Sequence, residues 1–207
     1  LGARRPILAP AGIVTGIGGR NKGSRGAALL QLRQVLDDTR AYAKNRKLFE
    51  SNRYRKLSAS RLDLEALIPV IERKVPLLFS ANRRIDIQRV VEFADQTGVR
   101  IVLVGGSEAW MEADLLARKK IGVILDPVAY QPGNFDRLHA RDDAAAILDR
   151  AGVAIAISTF SAHNVRKLRQ WAGNAVRSGL DHGRALAAVT VGPARLLGLK
   201  QRGTLAP

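Results

Sequence analysis

The chain has 207 residues, is 46% hydrophobic and contains no cysteine, so it is long enough to bury a core and holds no disulfide, thiolate metal site or cysteine nucleophile. Its formal net charge of +16 creates a field that attracts polyanions. No run approaches the about 20 apolar residues of a membrane span, and the first residues, with Arg4, Arg5 and Pro6, lack the apolar segment of an export signal; a soluble chain, cytoplasmic or periplasmic, with no membrane partner is expected.

Leu1 to Arg25 is rich in Gly and Pro, shows neither helical nor strand periodicity, and reads as an extended arm or loop with no core of its own. Ala27 to Arg46 places Leu29, Leu32, Val35 and Leu36 on one face, continued by Tyr42 and Ala43, which predicts an amphipathic helix. Asn45 to Ser60 is a basic linker. With Arg20, Lys22 and Arg25 before it, and with Arg40, Lys44, Arg46, Lys47, Arg53, Arg55 and Lys56, the first third is strongly cationic. A solvated face and connector accounts for this more simply than a nucleic-acid surface, because stacking aromatics are sparse (Tyr42, Phe49, Tyr54) and no recognition motif is present. Leu62 to Arg73 predicts a second helix, with Asp63 and Glu65 early in it and Pro69 kinking or restarting it.

From Val75 one unit repeats, a short apolar run followed by a helical stretch. The runs are 76–79, 100–104, 121–125 and 153–157, continuous rather than alternating, as in strands buried on both faces of a parallel sheet. Helices are predicted over Asp86–Thr97, Glu108–Lys119, Asp142–Arg150 and Asn164–Ser178, with Gly98 and Gly152 where a helix end needs a left-handed residue. A longer loop passes through Pro132 and Gly133. Two further helical pieces, Gly183–Val189 and Pro193–Leu197, follow. The fold class is α/β, about four parallel βα units plus C-terminal helices, with a doubly wound sheet and a (β/α) barrel segment as the two architectures. No Gly-x-Gly-x-x-Gly or P-loop stands at a strand-to-helix turn, which argues against a nucleotide-binding sheet.

The segment Val75 to Ile87, Val-Pro-Leu-Leu-Phe-Ser-Ala-Asn-Arg-Arg-Ile-Asp-Ile, with Gly98 to Trp110, Gly122 to Pro127, Ala151 to Ser158, Leu168 to Asn174 and Ala185 to Leu199, resembles the second half of the amidohydrolase superfamily barrel, in the branch related to imidazolonepropionase. Gly203 to Pro207 resembles its return to a small β-domain. The resemblance covers Leu62 to the end and divides the chain into an arm, helix and linker (1–61) and a partial TIM-like barrel domain (62–207). It implies a hydrolase of C–N bonds, cyclic amides among them, and a family norm of one or two divalent metals such as zinc. The family pattern has His-x-His on the first barrel strand, histidines on the fifth and sixth and an aspartate on the eighth. Here the corresponding stretches read Ser80-Ala81-Asn82-Arg83, Val104-Gly105-Gly106-Ser107-Glu108 and Thr159-Phe160-Ser161, so no metal is expected in this chain and catalysis is an open question.

Residues just past the strands are the candidate substrate-binding groups: Ser80, Asn82, Arg83, Gly105, Ser107, Glu108, Asp126, Ser161, His163 and Asn164. Each also has a plain structural alternative. Arg83 offers a planar fork for a carboxylate or amide, or a salt bridge to Asp86. Glu108 is a general base if buried, or serves a helix dipole. Gly105 and Ser107 suggest close backbone approach, Asp126 a strand-end turn, and His163 a loop or cap residue. Trp110 and Met111 read as packing. The start without methionine and the stop at Pro207 suggest an excerpt of a longer polypeptide, whose open sheet edges predict self-association or a missing complementary segment. Three functions follow: an amidohydrolase-type hydrolase, a non-catalytic barrel binding a small molecule or partner, and polyanion binding through the basic first third.

Overall fold

Five parallel strands run in the order β1-β2-β3-β4-β5, in a computed structural model that describes residues 9–17, 24–199 and 201–204. The strands are β1 Ile13–Gly16, β2 Leu77–Ala81, β3 Ile101–Gly105, β4 Gly122–Leu125 and β5 Ile155–Ile157. The helices are α1 Arg25–Lys44, α2 Arg46–Glu50, α3 Arg61–Ile71, α4 Arg84–Thr97, α5 Ala113–Arg118, α6 Ala144–Arg150, α7 Leu168–Arg177, α8 His182–Val189 and α9 Val191–Leu196. Sequential strand order decides between the two predicted architectures. A doubly wound sheet reverses order at its midpoint, whereas a barrel segment adds each strand beside the last; this is a partial TIM-like barrel.

Alternation along the strands produces two faces. Leu77, Phe79, Ile101, Leu103, Val123, Leu125, Ile155 and Ile157 pack under the helices against Leu36, Val70, Ile87, Phe93, Leu116 and Leu148 in the main core. On the other face, Leu196 of α9 covers Val102 and Ala156, with Leu78 and Ile124 beside them. Gly122 permits this cover, since a Cβ there would collide with Leu196 Cδ2. Toward β1 the same face opens, and Val14 is 73% exposed.

The arm predicted for Leu1 to Arg25 is corrected by β1. Ile13–Gly16 pairs with Leu77–Ser80, and Ile17, buried, donates its N–H to Ser80 O at 3.1 Å. The glycines that made this stretch look like loop serve close approach: a Cβ on Gly12 would meet Leu78 Cγ at 2.7 Å, and one on Gly16 would meet Ser80 Cβ at 2.9 Å. Residues Arg20 and Lys22, and the tail 205–207, lie outside the described residues.

The basic linker also has structure, α2 and a small cluster in which Leu57 packs with Tyr42 and Leu64. Asp38, buried on α1, accepts from Arg55 Nη2 at 2.6 Å and from Ser58 N–H at 2.7 Å and ties the linker down. Pro69 sits inside α3 without restarting it. The predicted helices 108–119 and 164–178 each begin as a 3-10 turn, Ala109–Glu112 and Val165–Lys167. Gly98 takes the left-handed cap of α4 at φ 69°. No described helix is long and apolar enough to cross a membrane.

Candidate functional site

The carboxyl ends of β2 and β3 are zipped together. Gly106 N–H donates to Ala81 O and Glu108 N–H to Asn82 O, each at 2.9 Å. The Asn82 side chain completes this join: its Oδ1 accepts from Ser107 Oγ at 3.0 Å and from Ser107 N–H at 3.3 Å. Gly105, at φ 90°, must be glycine, because a Cβ would lie 2.7 Å from Asn82 Oδ1.

Glu108 is 6% exposed, and both its oxygens are engaged. Oε2 accepts from the Arg84 N–H at 2.7 Å, at the start of α4, and Oε1 lies 3.0 Å from His139 Nδ1. Burial alone would raise its pKa, but the Arg84 N–H and the His139 ring outweigh that and hold the carboxyl below its ordinary range. Glu108 therefore caps the N-terminus of α4, the helix before its own.

Arg83 is half-buried and its guanidinium has no partner among the described residues. Asp86 is instead taken by Arg25 at 2.9 Å, which also bonds Asp136 at 2.5 Å. Asp126 Oδ1 accepts from Val128 N–H at 2.8 Å, closing a strand-end turn. Ser80 sits half-buried on the open sheet face. Ser161 O accepts from Thr159 Oγ1 at 2.9 Å and from Asn164 N–H at 3.1 Å, and His163 is exposed.

A cleft of about 280 Å³ lies between the tips of β3, β4 and β5 and helix α6; Gly105, Ser107, Asp126, Arg137, Arg141 and Phe160 line it, over apolar Leu125 and Leu148. Of the predicted residues it gathers Gly105, Ser107 and Asp126. Ser80, Asn82, Arg83, Glu108, Ser161, His163 and Asn164 lie outside its lining. The loop from Asp126 to Asp143 supplies what sequence reasoning missed. Arg141 pairs with Asp143, which raises its pKa, and lies 4.7 Å over the Trp110 ring, while Trp110 Nε1 donates to His139 O at 2.9 Å. Arg137, half-buried, has no side-chain partner among the described residues. The one signal was the unusual length of this loop.

The described residues do not fit a catalytic divalent metal, which takes about three nitrogen or oxygen ligands and an open position. Asn82 Oδ1 and both Glu108 oxygens are spent on protein groups, Asp126 Oδ1 accepts from Val128 N–H, His139 is turned to Glu108, and no group of three or more His, Asp or Glu converges among the described residues.

No family model and no curated protein sequence matches this chain. Solved structures do. An amidohydrolase from Thermotoga maritima MSB8 superposes with a TM-score of 0.85 at 24% identity, over 97% of this chain and 55% of that one. The fold is that of part of an amidohydrolase barrel. The chain thus spans about half the length of the Thermotoga maritima protein. An uncharacterized protein matches at a TM-score of 0.50 and 16% identity, over 73% of this chain and 41% of that one. An uncharacterized metal-dependent hydrolase from Pyrococcus horikoshii OT3 matches at 0.48 and 14%, over 73% and 36%, too loosely to carry an argument. At these identities the likeness is one of fold.

Proposed function

We propose that the chain belongs to the amidohydrolase superfamily, in the branch related to imidazolonepropionase, and serves the hydrolysis of a non-peptide C–N bond, cyclic amides foremost, by holding the substrate at the carboxyl tips of its strands. The observation that carries this reading is the cleft over β3, β4 and β5, placed where barrel enzymes keep their chemistry, in a chain whose fold follows an amidohydrolase over 97% of its length. Arg137 offers an uncommitted planar fork for a carboxylate or amide oxygen, and Leu125, Leu148 and Phe160 supply apolar walls. Asn82 and Ser107 fix the rim by bonding each other, and Glu108 positions α4 rather than abstracting a proton. No step is assigned to a metal, because these residues do not offer one a site.

The test is hydrolysis of a panel of cyclic amides by the purified protein, with bound metal measured alongside. Cleavage that Arg137→Ala weakens by about tenfold in kcat/KM, the loss of one charge-assisted hydrogen bond, supports the reading. Absence of cleavage with and without added zinc refutes it, and saturable binding without turnover would turn it to a non-catalytic, ligand-binding barrel.

A further inference from the structure

At the opposite end of the sheet, before β3 and β4 begin, a hollow of about 440 Å³ is bounded by Arg73, Arg100, Lys119 and Lys120, with Asp95 as its acidic member. Asp95 is already paired with Lys119 Nζ at 2.7 Å. Arg73, Arg100 and Lys120 therefore line the hollow with no carboxylate partner among the described residues.

Two of these residues are held in an unfavourable backbone conformation. Chains leaving a helix usually turn through a left-handed glycine, as α4, α6, α7 and α9 do with Gly98, Gly152, Gly179 and Gly198. After α3 and α5 that position is filled by Arg73 at φ 61° and Lys120 at φ 54°. Side chains with a Cβ are strained there, and such strain persists where the surroundings or a function require the residue. Both strained cations line the same hollow.

Helix dipoles explain part of this charge, since a cation near each helix C-terminus is favourable. Arg100 precedes a strand, yet its guanidinium also reaches a helix end, the C-terminus of α9. Its contact among the described residues is a long one, Nη1 to Leu196 O at 3.4 Å, and its Nε is buried without a partner. Burial, and then the charge of Arg73, lower its pKa, as expected for a cation placed beside a like charge with its counter-ion missing.

We propose that this hollow is an anion site that takes a phosphate group, from inorganic phosphate or a small phosphate monoester. Phosphate supplies the several acceptor oxygens and the charge that a guanidinium and two neighbouring cations need. The site lies away from the cleft at the strand tips and is independent of the hydrolase reading.

The experiment is calorimetric titration with inorganic phosphate at constant ionic strength, chloride serving as the control, on the parent protein and on Arg100→Gln and Lys120→Gly. One saturable site is expected, weakened about tenfold by each substitution. Lys120→Gly should also raise the melting temperature without phosphate, because it relieves the left-handed backbone, so its lost binding is not lost folding. Tighter binding of glycerol phosphate than of inorganic phosphate would assign the site to a monoester, and equal or weaker binding to the free anion. No saturable binding, unchanged affinity in both variants, or salt-sensitive binding of a DNA duplex with no phosphate saturation would overturn the proposal.

Discussion

Replacing Glu108 by Ala tests whether this buried carboxylate is a helix cap. Helix α4 starts at Arg84 without a side-chain cap from its own N-cap residue, Arg83, and Glu108 Oε2 at 2.7 Å supplies the acceptor from across the β2–β3 join. Truncation leaves the Arg84 N–H, at an exposed residue whose bond to Glu108 is part-buried, without that acceptor, and loses a cap worth about 1–2 kcal/mol. A loss of about 1–2 kcal/mol corresponds to a drop of about 2–8 °C in melting temperature for a chain of this size. Because the folded carboxyl titrates below its unfolded value, its contribution is complete above about pH 5 and is lost as the pH falls through the folded pKa. The gap between parent and Glu108→Ala should therefore be full at pH 7 and narrow on acidification below about pH 4. Urea melts at several pH values measure it. A gap under about 0.5 kcal/mol at pH 7, within ordinary surface effects, or one that does not narrow in acid, would refute the cap. Glu108→Gln, which keeps an acceptor without the charge, should fall between the two; if it folds like the parent yet abolishes hydrolysis, Glu108 acts on substrate instead.

Asp38→Ala should free the basic linker, since Asp38 holds both Arg55 and the Ser58 N–H; trypsin should then cut at Arg53, Arg55 or Lys56 at least tenfold faster, and an unchanged rate would show that the Leu57 cluster alone suffices. The loss of stability should be about 2 kcal/mol, the low end for a buried pair because Arg55 is itself 58% exposed. The isolated chain is expected to self-associate with a second copy across its open sheet face, where Val14 stands exposed on β1. Light scattering should show a dimer or larger species that Val14→Lys shifts toward monomer, and a monodisperse parent monomer would count against it.

What the sequence disclosed, and what it hid, follows from how far each feature depends on distant contacts. Strands β2 to β5 were legible because each contains a continuous apolar run, although the second face is only half-buried in β2 and fully buried in β5, and Gly98 and Gly152 mark helix ends by a local steric rule. Strand β1 was hidden because its flanking glycines answer to Leu78 and Ser80, more than 60 residues away in the chain, and nothing local separates a glycine of close packing from a glycine of a loop. The candidate site divides the same way. Ser107 and Asp126 sit beside visible strand ends and were found, whereas Arg137, Arg141 and Phe160 reach the cleft through loops whose path is set by tertiary contacts such as Trp110 to His139. Charge was the least legible property. Arg25, Arg40, Arg46, Arg55 and Arg61 of the basic first third are all paired with carboxylates, so a count of lysines and arginines overstated the free cationic surface there. Lys44, Lys47, Arg53 and Lys56 remain there without an ion-pair partner among the described residues. Arg73, Arg100 and Lys120, residues unremarkable in sequence, are set apart only by the hollow they share and by the left-handed backbone of Arg73 and Lys120.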